Sequence, residues 1–442
     1  MKKQMALILA AVLLLCGLSG CAKTTTLEPD KPVTLTMWHV YGEQADSPMN
    51  RLVEEFNRTV GREKGIIINV TLMSSTAQIG QKLLDAQAKT PGVPAMPDLF
   101  FCHNNNAQEL GAENLLDWST LFTQEELEAY VPEFLEDGMV DDRLCVFPVS
   151  KSTHLLFVAG TRFDQFAADT GVSYDDLATW EGFFDVAAKY YDWSGGQPFC
   201  ALDYFVRAVE LNAMEHGGSD FYTADGWYDF ENLALHDSWM EFASSYAQGH
   251  IFVSDLYSNT QVMTGEVVAG LGSSASILYY NDTVTYPDNT SEPMDLRVLP
   301  MPGVAGQELL VTQAGAGLCA TKSTEQKAEA AGIFGRWLTE PDRNLEFCVG
   351  TGYMPVTQEA FSQIEGYAFS SESYRRLYTA LNSVNQSATA VREPAFAGYY
   401  GKVYSLYDSL RALQKELPGR ISGGEDLKAL AEETWAMFRS VA

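Results

Sequence analysis

The stretch that decides the fold begins with VTLTMW (residues 33–38), in which apolar and polar residues alternate as in a β-strand. A helical pattern over SPMNRLVEEFN (47–57) follows, and the β-branched run IIINVTL (66–72) predicts a second strand. A second helical pattern runs from about 76 to 88, and PDLFFC (97–102) predicts a third strand. This order of strands and helices indicates an α/β fold whose strands pair in parallel.

Capping residues predict where several helices begin and end. Ser47 is placed to cap the first helix, with Pro48 at its first position. In STEQKAEAAGIFGRWLTEP, Ser323 and Gln326 have the spacing of a capping box, and Pro341 is expected to end that helix.

The length and charge of the chain restrict its organisation and its partners. With 442 residues, the chain is long enough for two large lobes. It carries 29 Lys and Arg against 58 Asp and Glu, a formal charge of −29. Such a surface repels phosphate backbones, so we expect no nucleic-acid partner.

The N-terminus predicts export. Lys2 and Lys3 precede the apolar run 6–15, which is too short for a permanent membrane span. LSGC (18–21) resembles the lipobox of bacterial lipoproteins, which predicts a signal peptide over 1–20 and a lipid on Cys21. Residues 21–32 then form a tether, and the protein lies at the cell membrane facing the outside or the periplasm. The alternative is an ordinary secretory signal with a chance cysteine.

The remaining cysteines carry no recognisable chemistry. Five follow the predicted anchor, an odd number at wide spacing and without a CxxC pair, so neither a disulfide framework nor a zinc site is expected. We predict small buried thiols. These residues are Cys102, Cys145, Cys200, Cys319 and Cys348.

Small polar residues and aromatic rings recur where predicted strands end. In an open α/β sheet, ligands bind beyond the carboxyl ends of the strands. Hydroxyls, glycines and aromatic faces suit a hydroxylated small solute that is bound but not changed. The five places are Trp38 with His39, residues 150–153, residues 273–276, residues 315–317 and Tyr353.

Catalytic interpretations of these places fail on spacing. In PVSKSTHLLFVAG (148–160) serine and lysine are adjacent, whereas a Ser-x-x-Lys site needs helical spacing, and the segment has no glycine for a phosphate loop. GAGLCA (315–320) follows a strand, but the next helix starts too late for a dinucleotide site. The six histidines form no HExxH motif. We therefore predict no enzyme activity, no cofactor and no metal.

In their order along the chain, seven segments resemble family 1 extracellular solute-binding proteins of ABC importers. The resemblance implies a two-lobe, periplasmic-binding-protein-like fold of type II with the ligand cleft between the lobes. It also implies delivery of the solute to a membrane permease by a monomeric receptor. The segments are LTMWHVYGEQ, MPDLFFCHNNNAQELG, FPVSKSTHLLFVAGTRF, TWEGFFDVAAKY, GEVVAGLGSSASI, LPMPG and GAGLCATKSTEQKAEAAGIFGRWLTEPDRNLEFCVGTGYMPVTQEAF.

Within that family the chain looks most similar to the glycerol-3-phosphate-binding branch. The binding residues of the branch correspond here to Ser152, Ser274, Gly315, Tyr353 and Arg392. Two further positions of the branch, a tyrosine and a glutamate, do not match. Their approximate counterparts are Ala77 and Asn104, and this departure leaves open whether the solute is a glycerol phosphate or a sugar.

Each assignment has a structural alternative. Arg392 can read a phosphate, or it can pair with a surface acid. Trp38 and His39 can form a sugar platform or belong to the core. Ser152 and Ser274 can be turn or cap residues, Gly315 can serve packing alone, and Tyr353 can be a core tyrosine with a satisfied hydroxyl.

The resemblance also places a crossing between lobes at residues 150–153. Lobe 1 is expected to hold 33–149 and 296–338, and lobe 2 to hold 150–295 and 339–442. The predicted function is a membrane-anchored receptor for a carbohydrate or glycerol-3-phosphate-like solute. The alternatives are a surface lipoprotein hydrolase acting on glycans or phosphodiesters, and an adhesion module.

Overall fold

The computed structural model describes residues 25–39, 41, 47–73, 76–223, 226–255, 257–394, 396 and 398–441. The predicted signal peptide and Cys21 lie outside these residues, and so do residues 22–24 of the predicted tether. Among the helices described, none is both long and apolar enough to cross a membrane.

The first sheet has four strands in the order β14-β3-β1-β2. β1 (Val33–His39) pairs in parallel with β2 (Ile66–Leu72) and β3 (Leu99–Cys102), while β14 (Gly317–Ala320) closes the edge antiparallel to β3. The parallel α/β unit predicted from the sequence is therefore confirmed.

The second sheet has five strands in the order β12-β6-β9-β7-β8, and the two sheets form the two predicted lobes. β6 is antiparallel to both of its neighbours, and β7 is parallel to both of its own. The strands are β6 (His154–Ala159), β7 (Cys200–Leu202), β8 (Ile251–Val253), β9 (Ala269–Ser273) and β12 (Leu296–Pro300).

One predicted lobe boundary is wrong. Residues 296–300 were assigned to lobe 1, but β12 makes a five-residue ladder with β6, so they belong to the second sheet. The strand is half-buried on alternate residues, as expected for an edge strand with one covered face. Three further short pairs lie outside the two sheets: β4 (Met139–Val140) with β5 (Arg143–Leu144), β10 (Thr283–Thr285) with β11 (Ser291–Pro293), and β13 (Leu309–Gln313) in parallel with β15 (Ala388–Arg392).

Two of the three predicted helix ends need correction. Ser47 caps its helix by accepting from the backbone N–H of Asn50, with Pro48 at the first position, as predicted. The later cap is Thr324 rather than Ser323, because the Thr324 hydroxyl accepts from the Lys327 N–H. Pro341 does not end that helix, which stops at Leu338. It begins the next one, where its missing N–H costs nothing.

The α-helices of the described chain complete both lobes. They are α1 (Pro48–Arg58), α2 (Val60–Lys64), α3 (Thr76–Gln87), α4 (Asn104–Leu110), α5 (Gln124–Glu128), α6 (Pro132–Asp137), α7 (Gly160–Thr170), α8 (Trp180–Ser194), α9 (Phe205–Glu215), α10 (Leu233–Ala247), α11 (Ser258–Met263), α12 (Glu325–Leu338), α13 (Pro341–Val349), α14 (Gln358–Gln363), α15 (Glu372–Ser387), α16 (Tyr399–Ser422) and α17 (Leu427–Ser440).

Helix α13, predicted for lobe 2, lies against residues of the first lobe. The Asn344 amide donates to the carbonyl of Val149 at 2.7 Å, and the Phe347 ring meets Tyr41 edge-on at 5.3 Å. The residues that follow α13 therefore approach the point where the chain passes from one sheet to the other.

Candidate functional site

The segment 150–153 crosses between the two sheets. Before it, Phe147 pairs with Leu318 next to the first sheet, and directly after it His154 begins β6 of the second. All four residues are buried. The crossing inferred from the resemblance is present in the structure.

Two other segments run beside the crossing and are hydrogen-bonded to it. Lys151 N donates to the Met354 carbonyl at 3.1 Å, and Met354 N donates back at 2.6 Å. Ser152 N donates to the Ala314 carbonyl at 2.9 Å, and Ala314 N returns a bond of 3.0 Å. Three segments thus meet at the hinge position between the lobes, and Ser152 lies in the middle one.

Ser274 lies at the same place from the second sheet. Its backbone N–H donates to the Thr153 carbonyl at 2.8 Å. The hydroxyl oxygens of Ser274 and Thr153 are buried and have no hydrogen-bond partner among the residues that the structure describes. Buried hydroxyls normally have a partner, so two without one at a single junction suit a site that receives polar atoms from a solute or from water.

Gly315 fits tightly against the crossing segment. Its φ is +115°, a region that side-chain-bearing residues rarely adopt. A Cβ there would lie 3.3 Å from the Lys151 Cα and from the Ser150 carbonyl oxygen. Both the conformation and the close approach require glycine.

Gly315→Ala is expected to lower the free energy of unfolding by about 1–3 kcal/mol from backbone strain, with a further loss from the close contact. Gly92→Ala is the matched control, because Gly92 has a φ of +86° with open space around its Cβ position. Urea titration of both variants measures the difference. An equal cost at the two positions would contradict the tight fit.

Tyr353 is half-buried and packs against Tyr41, which follows β1 of the first sheet. Its ring meets Tyr41 edge-on at 6.0 Å, and the Tyr41 hydroxyl lies 3.2 Å from the Ser150 hydroxyl. Burial raises the pKa of Tyr353 to about 12, and the nearby Tyr279 contributes to that rise. Ser152, Ser274, Gly315 and Tyr353, predicted from separate segments, therefore converge at the crossing.

Three of the other predicted ligand residues have their polar or aromatic groups occupied. Trp38 is buried in a cluster with Ile79, where it has no open face for a sugar ring. The His39 ring is buried, with Nε2 2.9 Å from the Asn50 amide oxygen and Nδ1 accepting from the Tyr41 N–H. For Trp38 and His39 the packing agrees with the core alternative.

Asn104 uses its amide within its own lobe. Its Nδ2 donates to the carbonyls of Asp137 at 2.5 Å and Met139 at 3.1 Å, while its oxygen accepts from the Gln108 amide. This arrangement holds α4 against the β4–β5 pair.

Arg392 forms an exposed ion pair. Its Nη2 lies 3.0 Å from a carboxylate oxygen of Glu136, and the Arg392 side chain is 51% exposed. Its backbone carbonyl accepts from buried Arg207 at 2.7 Å. The pairing with a surface acid is the structural alternative stated for this residue, although the acid is Glu136 rather than the adjacent Glu393.

A group of tyrosines around the junction was not predicted from the sequence. Burial raises the pKa of Tyr204, Tyr353 and Tyr404, and neighbouring tyrosines of the group add to each rise. Tyr204 directly follows β7 and Asp203, so the rule of polar strand ends could have found it; the spacing of the others carries no such signal. The group consists of Tyr204, Tyr257, Tyr279, Tyr353, Tyr400 and Tyr404.

The structural role of a buried lysine was not predicted from the sequence either. Lys151 Nζ lies 2.5 Å from a carboxylate oxygen of Asp137. Burial lowers the pKa of nearby His103 to about 4, and the positive charge of Lys151 contributes. Residues 150–153 thus form a junction that contains a buried ion pair, and Lys151 is held by Asp137 instead of activating a serine.

His154 makes stability depend on pH. Its ring stacks on Tyr204 at 3.8 Å, and burial, followed by the charge of Arg207, lowers its pKa to about 3. An unfolded histidine has a pKa of about 6.5, so between about pH 6.5 and 3 the unfolded chain binds a proton that the folded chain does not. Above about pH 6.5, His154 does not lower the free energy of unfolding. As the pH falls through this range, the free energy of unfolding decreases by about 1.4 kcal/mol per pH unit.

His154→Phe retains an aromatic stack but cannot titrate. Urea unfolding between about pH 6 and pH 5 should show a loss of stability smaller than that of the wild type by about 1.4 kcal/mol. Parallel pH profiles for the two proteins would contradict a neutral, buried His154.

Among the described residues, no group of three or more histidine, cysteine and carboxylate side chains could hold a metal ion. The five cysteines predicted as buried free thiols are all buried and unpaired, which confirms that prediction.

Two lobes that meet at a polar, tyrosine-rich junction are the architecture of a binding protein with its cleft between the lobes. A family model described as bacterial extracellular solute-binding protein matches residues 51–369. Since this is more than half of the chain, the protein belongs to that family. No curated protein matches it by sequence.

Solved structures agree on the fold. A cyclic alpha-maltosyl-1,6-maltose binding protein from Arthrobacter globiformis is 17% identical, with a TM-score of 0.67, over 93% of this chain and 99% of its own. UgpB from Mycobacterium tuberculosis, in complex with glycerophosphocholine, is 16% identical with a TM-score of 0.64, over 92% and 98% of the chains. Maltose-bound MalE3 of T. maritima is 15% identical with a TM-score of 0.63, over 92% and 100%. The predicted two-lobe fold is confirmed.

Proposed function

We propose that the protein binds a carbohydrate between its lobes and delivers it to the membrane permease of an ABC importer. The observation that carries this proposal is that the lobe junction holds a group of tyrosines together with the hydroxyls of Ser274 and Thr153, which have no hydrogen-bond partner among the described residues. Aromatic faces pack against sugar rings, and the free hydroxyls suit sugar hydroxyl groups. Sugar ligands named for two of the similar structures support the same choice.

The paired charges at the junction disfavour binding of a glycerol phosphate. A phosphate needs a free cationic group, preferably a bidentate arginine. Three cationic side chains around the junction are each paired with a carboxylate: Lys151 with Asp137, Arg207 with Glu210, and Arg392 with Glu136. Binding a phosphate there would require one of these pairs to break.

A hydrolase is the second candidate because the pKa of Asp203 is raised to about 6, chiefly by burial. The Asp203 carboxylate, however, accepts from the Ser258 N–H at 2.7 Å and from its hydroxyl at 3.1 Å. A carboxylate held by helix α11 in this way has a structural partner, so the binding function is the better supported of the two.

Thermal-shift measurements with maltotriose, cellotriose, glycerol-3-phosphate and glycerophosphocholine test the proposal. A ligand at a hundred times its Kd stabilises the protein by about 2.7 kcal/mol. We expect a trisaccharide to raise Tm equally in the wild type and Arg392→Ala, and less in Tyr404→Ala. Stabilisation by phosphate compounds alone, lost in Arg392→Ala, would contradict it. Release of shorter sugars from the trisaccharide would favour the hydrolase.

The anchor and assembly belong to the same proposal. We expect an acyl chain on Cys21, association with the cell membrane through it, and a monomeric receptor domain. The mass of the N-terminal peptide from purified membranes tests the lipid, since a Cys21→Ser variant should lose both the added mass and the membrane association.

A further inference from the structure

A carboxylate with no ion-pair partner among the described residues lies near the tyrosines at the lobe junction. Glu393 is half-buried, and the Tyr400 hydroxyl donates to one of its oxygens at 2.7 Å. No ion pair between the described residues includes Glu393. Burial raises the pKa of this carboxyl, with the charge of Asp137 adding to the rise. The surroundings of Glu393 therefore disfavour its charged form, and a cation bound beside it would favour that form.

Several aromatic rings lie near this carboxylate, next to the Tyr400 ring that contacts it. Tyr400 and Tyr404 stack with 6.2 Å between ring centroids, and the His103 ring lies 6.0 Å from Tyr400. Glu393 also raises the pKa of Tyr204 and Tyr404, which places both rings near it. These rings come from different parts of the chain, and Tyr404 is 53% exposed. The arrangement is open to solvent on the side of Tyr404.

The two cations whose charge acts on the pKa of Glu393 already have partners. Arg207 donates to Glu210, to the Thr312 hydroxyl and to the carbonyls of Val391 and Arg392. Lys151 is buried against Asp137. Both weaken the rise in the pKa of Glu393 without pairing with it.

Such a site attracts positive charge. The faces of tyrosine rings bind ammonium groups, most strongly where water is excluded, and a carboxylate beside them adds a charge-assisted hydrogen bond or ion pair. A neutral sugar hydroxyl would leave the charge of Glu393 uncompensated. A cationic nitrogen would compensate it and stack against the rings at the same time.

We propose that the solute carries a cationic nitrogen that binds between Glu393 and the surrounding tyrosines, as in an amino sugar or a quaternary ammonium compound. This inference rests on the proposed function, because it concerns the same cleft and names the charge of its solute.

Calorimetric titration of the purified protein at neutral pH with matched probes tests the inference. A trimer of β-1,4-linked glucosamine and cellotriose differ at each ring by an amine in place of a hydroxyl. Choline and 3,3-dimethylbutanol differ by a quaternary nitrogen in place of a carbon. The first pair tests an amino sugar, and the second a quaternary ammonium group.

We expect one cationic probe to bind at least about tenfold more tightly than its neutral counterpart. In Glu393→Gln, which preserves shape and can still accept from Tyr400, that advantage should shrink to about twofold, while exposed Glu54→Gln should retain it. Circular dichroism and Tm of both variants confirm that they are folded.

Equal binding within both pairs, cellotriose with the glucosamine trimer and choline with 3,3-dimethylbutanol, would overturn the inference and leave the carbohydrate receptor standing. A cationic advantage that survives in Glu393→Gln would place the nitrogen elsewhere and also overturn it. If no probe of either pair binds, the inference fails, and the maltotriose arm of the thermal-shift panel then decides the proposed function separately.

Discussion

Arg207→Met should lower the free energy of unfolding by about 3–5 kcal/mol, because it leaves a buried glutamate without its partner. Arg207 is 4% exposed, and its guanidinium lies 2.7 Å from the Glu210 carboxylate, which is fully buried. The same guanidinium bonds the carbonyls at the end of β15. Urea titration measures the loss.

Two further variants distinguish the buried pair from ordinary ion pairing. Arg375→Met breaks an exposed pair with Glu372 at the same i,i+3 spacing and should cost less than about 1 kcal/mol. Arg207→Met combined with Glu210→Leu removes both charges and should recover part of the stability. A single variant no more damaging than Arg375→Met would contradict the buried-pair interpretation.

Lys151→Met is the second large effect expected, at about 3 kcal/mol or more. Lys151 is 1% exposed and is paired with Asp137, which would remain at the lobe junction with its charge uncompensated. Because the charge of Lys151 contributes to the lowered pKa of His103, the variant should also raise that pKa. NMR titration of the His103 ring measures this second effect.

The matched control is Lys189→Met. Lys189 pairs with Asp185 at 2.6 Å across one turn of an exposed helix face, and its loss should change stability by less than about 1 kcal/mol. If the two lysine variants unfold alike, or if the pKa of His103 does not move, Lys151 does not hold the junction together.

Local patterns in the sequence predicted the first lobe well because its elements are regular. The strand over 66–72 has the predicted limits, and Ser47 caps its helix as predicted. The sequence did not show that β12 joins the second sheet, since an edge strand with one covered face can pair with either lobe. That choice depends on long-range packing, which no local pattern records.

The candidate site was predicted only in part, because local patterns identify some of its residues but not those that long-range packing brings to it. Ser152, Ser274, Gly315 and Tyr353 come from short polar or glycine-containing segments next to regular elements, and the fold brings them together. Tyr400, Tyr404 and Glu393 come from the C-terminal region, where nothing in their spacing distinguishes cleft from core or surface. The partner of Arg392 could not be foreseen either, because Glu136 lies 256 positions earlier.

Small-angle scattering tests the central claim, that the solute binds between the lobes, most directly. The radius of gyration would be measured for the protein alone and with each probe that raises its Tm, beginning with maltotriose and the glucosamine trimer. A solute that contacts both lobes favours their closure, so the radius should fall. A compound that stabilises the protein while the radius stays unchanged would place its site outside the cleft and contradict the account.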